Sequence, residues 1–394
     1  MVLNTQDDLA PVLESLRATA VARDQAGGHA AEAKEALRAA GLLRQAIPTD
    51  FGGEGQDWTA VFDTVRRVAE VDSALAHVLA FHHLQVATVL VYGTPAQQAR
   101  WLVPTAREGL WWGNAMNPLD QRLVAEAAGD GNGESGGGGY LLTGSKGFCS
   151  GTRGSTYMTL SAALPGSPTP LLAVVATQQD GLRVAEDWNP IGQRQTDSGS
   201  VHFARVPVAA ADVLRRPGEP PQLRHSVRTC LGQLVLVHLY LGLAAGALAE
   251  ARRHTLQHAR PWLYAGVEKA ADDPYRLQRL GEMHLQVQTA AVMSERAVQR
   301  MDALWRRGAA VTAEQRRDTA VAIAEAKVLA HRASLAVSQD LFEVAGARAT
   351  DAALGLDRFW RNARTHTLHD PVDYKLRRLG SWALHQEFPA DFYN

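Results

Sequence analysis

Residues 140–151, YLLTGSKGFCSG, part company with everything before them in this 394-residue chain. Together with TYMTLSAAL (156–164), LLAVVATQ (171–178) and GSVHFARVPV (199–208), they form short β-rich runs separated by Gly, Pro, Ser and Asp clusters. Upstream, residues 7–112 place apolar side chains at helical spacing, as in AAEAKEALRAAGLL (30–43) and VFDTVRRVAEVDSALAHVLAFHHLQVATVLVYG (61–93). The Pro and paired glycines of IPTDFGGEGQDW (47–58) mark a turn between helical runs. Downstream of the Pro-rich RRPGEPPQ (215–222), the helical period returns in four blocks, near 225–258, 273–306, 311–345 and 351–385. Long amphipathic helices with short links fold most readily as an antiparallel bundle. The predicted order is an N-terminal helical domain (1–112), a β domain (113–216) and a C-terminal four-helix bundle (217–394), a mainly α chain with a central β domain.

Charge narrows the range of partners. Forty Lys and Arg against 41 Asp and Glu leave no basic footprint for nucleic acid or an acidic membrane surface. A small molecule or another protein is the expected partner. Two cysteines, Cys149 and Cys230, make no disulfide framework and belong to no metal-binding spacing. The amphipathic, acidic N-terminus lacks a signal pattern, and no apolar run reaches the ~18 residues of a membrane span. The expected location is the cytoplasm. The run GDGNGESGGGG (129–139) is too polar to bury area and reads as a surface loop, either a plain hairpin tip or a lid. No phosphate-gripping or dinucleotide glycine motif is present, and His82 and His83 lack the HExxH context of a metal helix.

Several polar residues remain, each with two readings. His82 and His83 interrupt an apolar helix about 100° apart, so at most one faces a given pocket; either is also an ordinary core histidine. In KGFCSG, Phe148 and Ser150 stand at strand spacing and are predicted to share a face. Trp188, ahead of a turn in EDWNPIGQRQTDSGS (186–200), is either core or a cover for a flat ligand. Pro261 ends a helix near Arg260, whose guanidinium suits phosphate or plain solvent. In RTHTLHDP (364–371), His366 and His369 sit three apart ahead of an acid and a proline.

These strings join in a resemblance. GLLRQAIPTDFGGEG (41–55), the segment 93–118 and IGQRQTDSGSVHFARVPV (191–208) are similar to the acyl-CoA dehydrogenase superfamily over nearly the whole chain. WWGNA, GFCSG, GQRQTDSGS, ARPW followed by DDPY, FEVAGAR and DRFWRNARTHTLHDPVDYK (357–375) resemble its flavin-dependent monooxygenase branch, typified by dibenzothiophene monooxygenases. The resemblance implies an acyl-CoA dehydrogenase-like fold with a β-barrel-like middle domain. It also implies an FMNH2-dependent oxygenase of a two-component system that forms a flavin C4a-hydroperoxide and oxygenates a small hydrophobic compound, organosulfur among the candidates.

By the same resemblance, His82, Ser150 and His369 are the catalytic candidates, with His366 structural. Asn114, Phe148, Ser150 and Trp188 surround the flavin ring, and Arg260 and Arg348 take the FMN phosphate, one of them from a neighbouring subunit. The implied partners are dioxygen, a separate NAD(P)H-dependent flavin reductase and further copies of the chain in a homodimer or homotetramer. Residues 117–139 would lie at the pocket mouth. Where dehydrogenases carry a glutamate base, this chain has His369 and Asp370. The alternatives are therefore an FAD-dependent acyl-CoA dehydrogenase with Asp370 as base, and a non-catalytic helical scaffold.

Overall fold

The computed structural model describes residues 9–117, 119–128, 138–215, 219–220 and 222–389. Five helices open the chain: α1 (Ala10–Ala26), α2 (Ala31–Ala39), α3 (Trp58–Val71), α4 (Ser73–Tyr92) and α5 (Pro95–Glu108). Helix α4 is apolar on every side, and all its residues except Phe81 and Tyr92 are buried. It is long and apolar enough to cross a membrane, yet it is enclosed by protein, packed against α3, α5, the later bundle and the sheet. Asp72 caps its N-terminus, accepting from the backbone N–H groups of Ala74 and Leu75, both at 3.0 Å, while pairing with Arg23.

Two four-stranded sheets follow. The first has the order β1 (Trp112–Ala115), β4 (Tyr157–Ala162), β5 (Leu171–Ala176) and β8 (Val213–Arg215); the second runs β2 (Val124–Ala127), β3 (Tyr140–Lys146), β7 (Val201–Val208) and β6 (Leu182–Val184). All pairs are antiparallel except β1 with β4, where Trp112 lies opposite Tyr157. A separate core of Leu123, Leu142, Met158, Leu160, Val175 and Phe203 fills the space between the sheets. This is the β domain that the sequence predicts, built as the two facing sheets that the family resemblance implies. Much of the glycine-rich run, residues 129–137, lies outside the described residues, as does Pro118, so the proposed lid is not described here.

Helices α6 (Val227–Gln257), α7 (Pro274–Arg306) and α8 (Ala313–Ala345) form the long part of the bundle. The fourth block, expected as one helix, is two: α9 (Asp357–Thr367) and α10 (Val372–His385). Pro371 is the cause. It has no N–H to continue the ladder, and it holds Asp370 away from helical geometry. The break leaves His369 and Asp370 at a corner.

Asp302 of α7 ties the two helical regions together. Its buried carboxylate accepts from the N–H groups of Trp58 and Thr59, at 2.7 and 3.1 Å, and from the Thr59 hydroxyl, supplying the first turn of α3 from another element. Asp302→Ala strands those donors and should destabilise the protein by about 3 kcal/mol, read as a lower urea midpoint with an unchanged slope.

Candidate active site

Every fourth residue of α4 after its first turn, His77, Phe81 and Gln85, lies on one helix face. At one end, Gln85 donates to Asn114 Oδ1 on β1 at 3.3 Å and accepts from the Thr159 hydroxyl of β4. At the other, His77 Nδ1 lies 2.8 Å from His366 Nε2 on α9, while its ring stacks on Phe81 at 4.1 Å. The two ends are about 12 Å apart along the helix. His77 Nε2 and His366 Nδ1 are buried without a partner. Burial, and then the charge of His369, push His77 down to about 3; burial likewise takes His366 well below the usual histidine range. The pair is therefore neutral, with one nitrogen donating and the other accepting.

His369 follows three residues on, its N–H bonded to the His366 carbonyl at 3.0 Å and its side chain 43% exposed. It is the accessible member of the group. Its Nδ1 lies 3.3 Å from Asp370 Oδ1. Asp370 is buried and clamped by Lys327, with Lys375 Nζ 3.8 Å from its other oxygen. Burial raises the Asp370 carboxyl, but the hydrogen bond from His369 and the two lysines outweigh it and hold the group well below the carboxylate range. Both carboxylate oxygens thus face a lysine. The pairing sets Asp370 in a different role from that of a free base, as the dehydrogenase alternative would need.

His82 stands elsewhere. Its Nε2 donates to the Leu43 carbonyl at 2.9 Å and its Nδ1 accepts from Trp112 N–H at 3.3 Å, so both ring nitrogens are engaged and the residue is wholly buried. It braces α4 against the turn after α2 and the start of β1. The α4 histidine that meets the end of α9 is His77, and the signal for it was the four-residue spacing to Phe81 and Gln85.

Phe148 and Ser150 do not share a strand face as predicted. Strand β3 ends at Lys146, and Phe148 adopts a left-handed φ of 56° that turns its ring outward, 66% exposed and edge-on to Trp188 at 5.9 Å. Ser150 is buried behind it, and its carbonyl accepts from Asn114 N–H at 3.1 Å. A chain of hydroxyls leads away: Ser150 Oγ is 2.7 Å from Ser198 Oγ, Ser198 donates to Thr196 at 2.8 Å, and Thr196 donates to the Gln193 carbonyl at 2.9 Å. Because Ser198 spends its one proton on Thr196, Ser150 donates to Ser198 and keeps its lone pairs for another donor.

The Gln193 carbonyl also accepts from the Trp188 indole at 2.9 Å. The same loop is pinned to α9 and α4: Gln193 N–H donates to Asn362 Oδ1 at 2.6 Å, and its amide donates to Ser73 Oγ at 3.1 Å. Gly192 makes that approach possible, since a Cβ there would collide with the Arg361 carbonyl. Ser150, Asn114, Phe148, Trp188 and the α9 histidines thus belong to one connected region. Arg260 and Arg348 are exposed at one end of the bundle, where α6 and α8 finish side by side and the Thr255 hydroxyl donates to the Val344 carbonyl at 3.4 Å. Among the described residues no hydrogen bond or ion pair joins these arginines to the sheet residues of the same chain.

Comparison with known proteins agrees with this layout. Residues 8–109 match the family model of the acyl-CoA dehydrogenase N-terminal domain, and residues 234–374 that of its C-terminal domain. The chain is 44% identical, over 95% of its length and 94% of the relative's, to a probable FMNH2-dependent monooxygenase of Pseudomonas putida. It is 39% identical to a dibenzothiophene monooxygenase of Mycolicibacterium goodii, over 94% and 91% of the two chains. A solved structure of methanesulfinate monooxygenase from Pseudomonas fluorescens superposes with a TM-score of 0.93 at 42% identity, covering 98% of each chain.

Burial takes His82 and His238 each down to about 4, below the ordinary histidine value they have when unfolded. The unfolded chain therefore binds more protons, and stability is full above about pH 6.5 and falls as pH drops towards 4. By pH 5 each such histidine costs about 2 kcal/mol. His82→Gln, which keeps a donor and an acceptor, should reduce the difference between urea midpoints at pH 7 and 5.

Proposed function

The chain belongs to the acyl-CoA dehydrogenase superfamily, in its FMNH2-dependent monooxygenase branch, and from that premise we propose that it oxygenates a small organosulfur compound with His369 as its catalytic side chain. The enzyme is a flavin-dependent monooxygenase and its cofactor is FMN. Reduced FMN, when bound, supplies the two electrons that activate dioxygen. The observation that carries the assignment of His369 is that it alone among the clustered histidines is accessible, at the corner created by Pro371, with its Nδ1 against a carboxylate.

The residues present suit a flat, hydrogen-bonding ring. Ser150 keeps its lone pairs for a ring N–H, the Thr152 hydroxyl is buried without a partner, and the Phe148 and Trp188 rings stand beside them at the surface. Asn114 sits next to Ser150 and would bond the ring edge. Arg260 and Arg348 would hold the phosphate. The neutral His77–His366 pair orients the wall of the substrate pocket without adding charge to it, which suits an uncharged, apolar compound.

The chain acts as a homo-oligomer in this reading. Helix α7 leaves Leu277, Leu285 and Val292 exposed, and Trp262, Leu263 and Tyr264 just after Arg260 are 68, 81 and 81% exposed. A second copy covering that segment would bring its own residues to the arginine pair, which no sheet residue of the same chain reaches among the described residues. The protein works in the cytoplasm, where a separate NAD(P)H-dependent reductase delivers FMNH2 and the buried Cys149 and Cys230 stay reduced.

The test supplies FMNH2 from an unrelated reductase and follows transfer of labelled oxygen from 18O2 into dibenzothiophene and alkanesulfinates by mass spectrometry. Labelled product in neither class would sink the organosulfur assignment. His369→Ala should abolish product while leaving FMNH2 affinity within about twofold; unchanged turnover would remove His369 from the reaction. Arg260→Ala and Arg348→Ala should each weaken FMNH2 binding about tenfold or more in anaerobic titration. Leu263→Asp should lower the mass found by light scattering and weaken FMNH2 binding with it.

A further inference from the structure

Asn114 is held at two points. Its backbone N–H donates to the Ser150 carbonyl at 3.1 Å, and its side-chain Oδ1 accepts from Gln85 Nε2 at 3.3 Å. Gln85 in turn accepts at Oε1 from the hydroxyl of Thr159, the residue directly opposite Asn114 in the pairing of β1 with β4. Gln85 and Thr159 are wholly buried where α4 crosses the first sheet, so their polar groups have to find partners within the protein. Proton count sets the direction of this chain. A hydroxyl has one proton, and among the described residues the Thr159 hydroxyl has no hydrogen bond besides the one to Gln85. With the Gln85 amide turned round, two donors would face each other and the threonine proton would be buried without an acceptor, which is unfavourable. With Oε1 on Thr159, the Gln85 NH2 faces Asn114, which answers with its oxygen. No other hydrogen bond reaches the Asn114 side chain among the described residues, and its NH2 is the group it has left to offer.

We propose that Thr159 and Gln85 are positioning residues that set Asn114 as a hydrogen-bond donor to a carbonyl oxygen of the FMN ring. The inference rests on the reading of Asn114 as a flavin contact. Thr159 is the origin of the polarity, and Gln85 passes it from one strand to the next by way of α4. A leucine at 85 would pack α4 against β1 and β4 with no polar group to satisfy, and would leave the Asn114 amide able to turn either way. The buried amide is explained by the orientation it imposes. Ser150 presents the opposite polarity beside it, since it gives its proton to Ser198 and keeps its lone pairs. The two neighbours together match a C=O next to an N–H, the pattern along the pyrimidine edge of an isoalloxazine.

The test reads the ring itself. FMN carrying 13C at its pyrimidine carbonyls is bound to the full-length protein, its carbonyl stretches are followed by infrared difference spectroscopy, and its affinity is measured by fluorescence titration. A donated hydrogen bond lowers a carbonyl stretch. Thr159→Val, which keeps the shape of the side chain and removes the hydroxyl, should raise the stretch of one labelled carbonyl and weaken FMN binding about fivefold to tenfold. Thr159→Ser should restore both. Gln85→Leu should match Thr159→Val, and stands in for it if that variant does not fold. Asn114→Asp, of the same shape but with acceptors alone, should weaken binding more than either. Carbonyl stretches that move in Asn114→Ala but in neither Thr159→Val nor Gln85→Leu overturn the positioning role. A change in Thr159→Val that Thr159→Ser fails to reverse marks lost packing and overturns it too. Stretches unmoved in Asn114→Ala overturn instead the reading of Asn114 as a flavin contact, and the inference with it.

Discussion

Enclosing α4 on all sides is the constraint on which the rest of the architecture depends. A 20-residue helix with no polar face cannot lie on a surface, so α3, α5, the first sheet and the bundle must converge on it. Convergence brings three segments distant in sequence to one helix: Asn114 and Thr159 at its middle, and His366 near its start. Among the polar groups that α4 carries, His77, His82 and Gln85 find partners on distant elements inside the protein, because an unpaired buried donor costs more than the bond gains. Their partners are His366 near the start of the helix, and Leu43, Trp112 and Asn114 further along it.

Proline 371 sets the second condition. By stopping the ladder between α9 and α10 it turns His369 out of the helix and puts Asp370 where α8 can reach it. The result is a division of labour among neighbouring polar groups. His77 and His366 are dry, neutral and bonded to each other, whereas His369 is half open and bonded to an anion. The side around Ser150 is organised differently, through neutral hydroxyls and a tightly packed loop whose approach to α9 depends on Gly192. Trp188 and the α9 histidines are therefore parts of one assembly, linked through Gln193 and Asn362.

The alternation of helical and β-rich texture, and the length and specificity of the strings at 191–208 and 357–375, were enough to read the helical, sheet and bundle order and the superfamily. They were enough because period and turn residues are local properties of the chain. His369, Ser150, Asn114 and Trp188 were legible through their strings, and the structure gathers them into one region. The aspartate at 370 was legible as an acid in the right place, but not as one already committed to a lysine 43 residues away.

What could not be read was which histidine of α4 faces inward to α9. His77 and His82 both interrupt an apolar run, and the doublet at 82–83 is the more conspicuous. Local pattern places residues on faces of a helix, and when every face is buried it does not say which neighbour each face meets. That choice belongs to packing: Leu43 and Trp112 close around His82, and His366 arrives beside His77. The chain's own order of residues thus settles fold and family and names candidate side chains, while contact across long sequence separations decides which polar groups the protein itself satisfies.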